Sequence, residues 1–80
     1  MKLTKGSVVF AAAGRDSGGH FVVTDLDDGF CYIADGKSRK LAKPKRKNIK
    51  HIRTTDSMID LNDITDKKLR TLLRDMNSAE

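Results

Sequence analysis

The first half of the chain is built from three apolar runs, none longer than six residues: 7–12 (SVVFAA), 21–26 (FVVTDL) and 30–34 (FCYIA). Runs this short do not sustain a helix, and their β-branched and aromatic content favours extended backbone. The connections agree. Asp28-Gly29 and Asp35-Gly36 are turn dipeptides whose glycine tolerates the positive φ of a tight hairpin. Between the first two runs lies Gly14-Arg15-Asp16-Ser17-Gly18-Gly19, too long for a two-residue hairpin and rich in flexible backbone. Gly6 marks a bend or bulge entering the first strand. Residues 39–43 predict a fourth strand, alternating Leu41 with charges and ending at Pro44, which cannot donate to a ladder. Residues 48–53 predict a fifth, although Ile49 and Ile52 are three apart and the alternation is imperfect. Five short strands joined by turns predict a mainly β fold, a small and strongly bent barrel.

From Thr65 the pattern changes. Leu69, Leu72, Leu73 and Met76 recur at i, i+3, i+4 and i+7, the stripe of an amphipathic helix over about 66–76. Thr65 or Asp63 is placed to cap its start, and Asp66 sits favourably in the first turn. Eighty residues hold one small domain. Residues 1–54 are assigned to the barrel and 55–80 to a linker and the helix. The expected partner of the helix stripe is its own barrel, with a protein surface as the alternative, because so short a helix is marginal alone.

Charge is concentrated. The net charge is +5, yet residues 36–54 hold nine Lys or Arg and no acid, while the segments on either side are each net negative. An ordinary solubilising surface mixes both signs. A cationic band of this kind points to a polyanion, nucleic acid before an anionic membrane. Lys37, Arg39, Lys40, Lys43, Lys45, Arg46, Lys47 and Lys50 are candidate phosphate contacts, with His51 as an added donor. Lys45, Arg46 and Lys47 are expected in the loop after Pro44. Gly14, Arg15 and Gly18 form a second candidate element: glycines let backbone N–H groups approach phosphate oxygens, and arginine supplies a matching fork of donors. The plainer reading of that loop is a turn in which Arg15 and Asp16 pair locally.

Several chemistries find no support. The single cysteine, Cys31, excludes a disulfide-stapled scaffold and reads as a small buried apolar residue. His20, Cys31 and His51 lack metal-ligand spacing, and no nucleophile–base–orienter set can be assembled, so neither a metal, a cofactor nor an enzyme is expected. The apolar run at 8–13 is too short for a secretory signal and nothing approaches a membrane span, so a cytoplasmic location is expected. Phe10, Phe21 and Phe30 are expected in the core, with Tyr32 less firmly placed there.

Taken in order, Gly6-Ser7-Val8-Val9, Ala13-Gly14-Arg15-Asp16-Ser17-Gly18, Phe21-Val22-Val23, Ala34-Asp35-Gly36 and Pro44-Lys45-Arg46-Lys47-Asn48-Ile49-Lys50-His51-Ile52 resemble the KOW-domain RNA-binding proteins. The likeness is to the short bacterial relatives of a eukaryotic and archaeal large-subunit ribosomal protein family, and covers roughly residues 4–53. It implies an SH3-like five-stranded barrel of KOW type that binds RNA, ribosomal RNA above all, with the loop after the first strand at the RNA surface. The helix lies outside the likeness; a ribosomal protein is its possible partner. A different class of function, a protein-interaction adaptor in a translation or transcription complex, draws on the same barrel and helix. A third, general polyanion compaction, predicts equal affinity for duplex DNA and RNA.

Overall fold

A computed structural model describes residues 3–12 and 19–78. Strands β1 (Ser7–Ala11), β2 (His20–Asp27), β3 (Phe30–Ala34), β4 (Lys45–Asn48) and β5 (Ile52–Met58) are followed by helix α1 (Asp66–Ser78). All neighbours are antiparallel, in the order β4-β3-β2-β1-β5. The chain is a small SH3-like barrel with a C-terminal helix.

The unbroken Val-Val pairs in β1 and β2 follow from burial on both sides of the sheet. On one side Val8, Val22 and Ala34 are in cross-strand register and pack with Ile59, Leu69 and Leu73. On the other, Val9 pairs with Phe21 and Val23 with Ile33, enclosing Ala11 and Cys31 inside the curled sheet. Helix α1 therefore closes a second core: burying Leu69 and Leu73 contributes about 1.5–3 kcal/mol each. Leu41, Leu61, Ile64 and Met76 pack at its margin. Register shifts between Ser7 and Val9 and between Val23 and Asp25 bend the strands. Thr65 is the helix cap, its Oγ1 accepting from Lys68 N at 3.2 Å.

The basic half differs from expectation. Residues 39–43 are a turn, held by Asp35 N and Gly36 N on Arg39 O (2.9 and 3.0 Å) and Lys43 N on Lys40 O (3.0 Å). The fourth strand is instead Lys45–Asn48, where a loop was expected. Pro44 precedes β4 rather than ending a strand, and its missing N–H costs nothing there. Residues 49–51 form one 3-10 turn, capped by the Asn48 side chain, so the fifth strand begins only at Ile52 and continues to Met58. Of the three phenylalanines only Phe21 is buried; Phe10 and Phe30 are half-buried.

Candidate nucleic-acid interface

The acid-free segment is a folded ribbon with three parts. Its first, residues 36–44, is organised from within by Asp35, whose Oδ1 accepts the N–H groups of Lys37 and Arg39 at 2.9 and 2.8 Å. Gly36 carries φ +78°, and a Cβ there would overlap the Asp66 carbonyl oxygen. The helix clasps this turn twice. Arg70 Nη1 donates to Gly36 O at 2.8 Å, and Leu41 N donates to Asp66 Oδ1 at 2.8 Å. Lys37, Lys40 and Lys43 are exposed on it, with Lys40 Nζ 3.4 Å from Gly36 O, while Arg39 is half-buried.

The second part is β4, at the edge of the sheet, where alternation separates neighbouring cations. Lys45 and Lys47 pair with Ile33 and Cys31; Arg46 pairs with Tyr32 on the opposite face. Lys45 is exposed, but Lys47 retains only 9% of its surface. Burial pushes the Cys31 thiol above its ordinary pKa, and the neighbouring Lys47 ammonium partly opposes that shift. Arg46 lies flat on Phe30, its guanidinium carbon 3.8 Å from the ring centroid, with Nη2 4.0 Å from Asp27 Oδ2. The half-exposed phenylalanine is thus a platform for a cation. The third part is the 3-10 turn, in which Asn48 Oδ1 accepts Lys50 N at 2.9 Å and His51 O accepts Ala12 N at 2.9 Å. Lys50, His51 and Arg53 are exposed.

Exposed cations thus come from the turn, both faces of the edge strand and the 3-10 turn, and Lys47 is set apart by burial. Gly14, Arg15 and Gly18 lie outside the described residues. Arg53 extends the ribbon beyond the expected set. Sequence reasoning also passed over the helix cations Lys67, Arg70 and Arg74, which border a groove of about 670 Å³ with Lys37 and His20. Their i, i+3, i+7 spacing was the available signal, but nothing in the sequence placed that face beside residue 37. His20 meets Phe10 edge-on at 5.3 Å between ring centroids, and its Nδ1 is buried with no hydrogen-bond partner among the described residues. Among the described residues no group of three His, Cys, Asp or Glu is placed to hold a metal ion, and no helix is long and apolar enough to cross a membrane.

Fold and charge together define a small cationic SH3-like barrel with an appended helix. No family model matches the chain. Large ribosomal subunit protein eL14 of Staphylothermus marinus is 37% identical over 57 residues, which is 70% of this chain and 59% of that protein. The eL14 protein of Saccharolobus solfataricus is 30% identical over 77 residues, covering 94% of this chain and 80% of that relative. The chain belongs to the eL14 family of large ribosomal subunit proteins. Coverage of 94% carries the likeness beyond residue 53 and into the helix.

Proposed function

We propose that this chain is a non-enzymatic RNA-binding protein of the large ribosomal subunit, a KOW-type barrel that contacts the phosphate backbone of ribosomal RNA in the cytoplasm. The observation that carries the reading is the acid-free segment itself: nine cations folded into a braced turn, an edge strand, a capped 3-10 turn and the start of β5, in a member of a ribosomal protein family. Lys37, Lys40, Lys43, Lys45, Arg46, Lys50 and Arg53 are the exposed contacts, joined by His51 and by Gly14, Arg15 and Gly18 of the first loop. Arg39 and Lys47, less exposed, shape this surface more than they meet the ligand. Such contacts fix register and orientation and carry little sequence information. Preference for RNA over DNA rests on the family.

Filter binding of large-subunit ribosomal RNA between 50 and 200 mM salt, on the order of the physiological range, tests the proposal. With about six phosphates neutralised, log K falls against log[salt] with a slope of roughly −4 to −5. The triple change K43E/K45E/K50E, at exposed positions, lowers the slope by about three and weakens binding at every salt concentration. Salt-insensitive binding, or binding indifferent to the triple change, refutes it.

One observation favours a protein contact. Leu72 is 40% exposed and borders, with Ile64, a groove of about 610 Å³ between the helix and residues 60–65. A partner captured equally with and without ribonuclease, and lost in Leu72→Asp, supports that second reading.

A further inference from the structure

Helix α1 carries cations that the contacts above leave unused. Lys67, Arg70 and Arg74 share one face, with Thr71 among them, and that face forms one wall of the 670 Å³ groove. Gly19, His20, Asp35 and Lys37 contribute to the other side, Asp35 being the one acid in the lining. Four cations from segments about thirty residues apart thus meet at one concavity. The carboxylates nearby are turned to other work: Asp35 Oδ1 holds two backbone N–H groups of its own turn, and Asp66 Oδ1 holds that of Leu41. Arg70 uses Nη1 on Gly36 O, and the guanidinium has further N–H donors to give. Lys37, Lys67 and Arg74 form no ion pair among the described residues.

Within the helix the one acid four residues from these cations is Asp66, before Arg70, and its Oδ1 is engaged by Leu41 N. Here Arg70 and Arg74 stand one turn apart, a like-charge arrangement that destabilises a helix unless an anion lies between. Lys67 to Arg74 spans roughly 10 Å of helix axis, room for more than one phosphate. Lys37 belongs both to this groove and to the acid-free turn, so a strand lying along the turn passes Lys37 into the groove.

We propose that the groove between helix α1 and the turn after β3 binds the phosphodiester backbone of the RNA, through Lys37, Lys67, Arg70 and Arg74, as a contact distinct from β4 and the 3-10 turn. It rests on the RNA-binding reading above and adds the helix to the interface.

The experiment compares K67E/R74E with the charge-matched control K5E/K68E. Both pairs change exposed lysines or arginines, and Lys5 and Lys68 lie outside the groove, near Asp25 and the Asp63 carbonyl. Arg70 is left intact because it holds the turn. Titrations with large-subunit ribosomal RNA are run with thermal melts of every variant. The groove pair is expected to weaken binding at least tenfold more than the control and to lower the salt slope by about two. Equal losses in the two pairs mean that only net charge matters, and overturn the groove. In wild-type protein, which removes any question of misfolding, the amides of Thr71 and Arg74 and the His20 ring resonances are expected to shift saturably with RNA; their silence also overturns it. If K43E/K45E/K50E loses affinity while the groove pair matches its control, the groove alone falls. If wild-type protein does not bind the RNA, the underlying reading falls first.

Discussion

Replacing Gly36 by alanine tests how the helix is fastened to the barrel. Its backbone sits at φ +78°, where an L side chain costs about 1–2 kcal/mol. The new Cβ would also overlap the Asp66 carbonyl oxygen, lie 3.1 Å from the Asp66 carbonyl carbon and 3.2 Å from Arg70 Cγ. The arginine stem can swing aside; the Asp66 backbone moves only if the first turn of the helix moves. That displacement breaks the Leu41 N–Asp66 Oδ1 and Arg70 Nη1–Gly36 O bonds, both 2.8 Å. Each is charge-assisted and partly exposed, so the pair adds about 2–3 kcal/mol and the total reaches roughly 3–5 kcal/mol. Gly29 supplies the control. It has nearly the same φ, +75°, with no heavy atom within 4 Å of a Cβ, so Gly29→Ala costs only the backbone term, about 1–2 kcal/mol. Urea unfolding followed by far-ultraviolet circular dichroism is expected to separate the two variants by about 2 kcal/mol or more. In Tm that is a gap of roughly 8–16 °C for a domain of this size. A separation below about 0.5 kcal/mol would refute the clasp between turn and helix.

Leu69→Ala is expected to cost about 2–5 kcal/mol, because Leu69 is fully buried between helix and sheet, whereas Leu72→Ala, at an exposed position, stays within about 0.5 kcal/mol in the same melts. Burial raises the Cys31 pKa in the folded state, so the folded protein keeps a proton that the unfolded chain releases above about pH 8.5. Stability therefore declines as pH rises past that point, and Cys31→Ala is expected to show a shallower decline between pH 8.5 and 10, on the order of the thiol titration range. An identical pH dependence in the two proteins contradicts this. Arg46→Lys keeps the charge but loses the planar stack on Phe30; a double-mutant cycle with Phe30→Leu is expected to return a coupling of about 0.5–1 kcal/mol, and a coupling near zero removes the stack as a stabilising contact.

Strands β1 to β3 are legible in the sequence because each is an apolar run ended by turn chemistry, and the helix because its leucines keep a helical period. Strand β4 is not. Lys45-Arg46-Lys47-Asn48 contains no apolar residue, and its place in the sheet is fixed by pairing with β3, by Phe30 beneath Arg46, and by burial of Lys47 beside Cys31. None of these neighbours is local. Ile49 and Ile52 suggested a strand where the Asn48 side chain instead caps a 3-10 turn, a local bond that competes with the ladder. The composition of the acid-free segment located the candidate interface, but not its division between two faces of a strand. Nor did it reveal the helix cations, since Gly36 and Arg70 are 34 residues apart and their contact is not local in sequence.

The Arg70–Gly36 bond makes the helix and the basic turn thermodynamically reciprocal. Any ligand that binds the turn more tightly in its clasped form also holds the helix in place, and by the same factor a docked helix raises the affinity of the turn. Amide hydrogen exchange along residues 69–73 is therefore a gauge of occupancy at a site those amides need not touch.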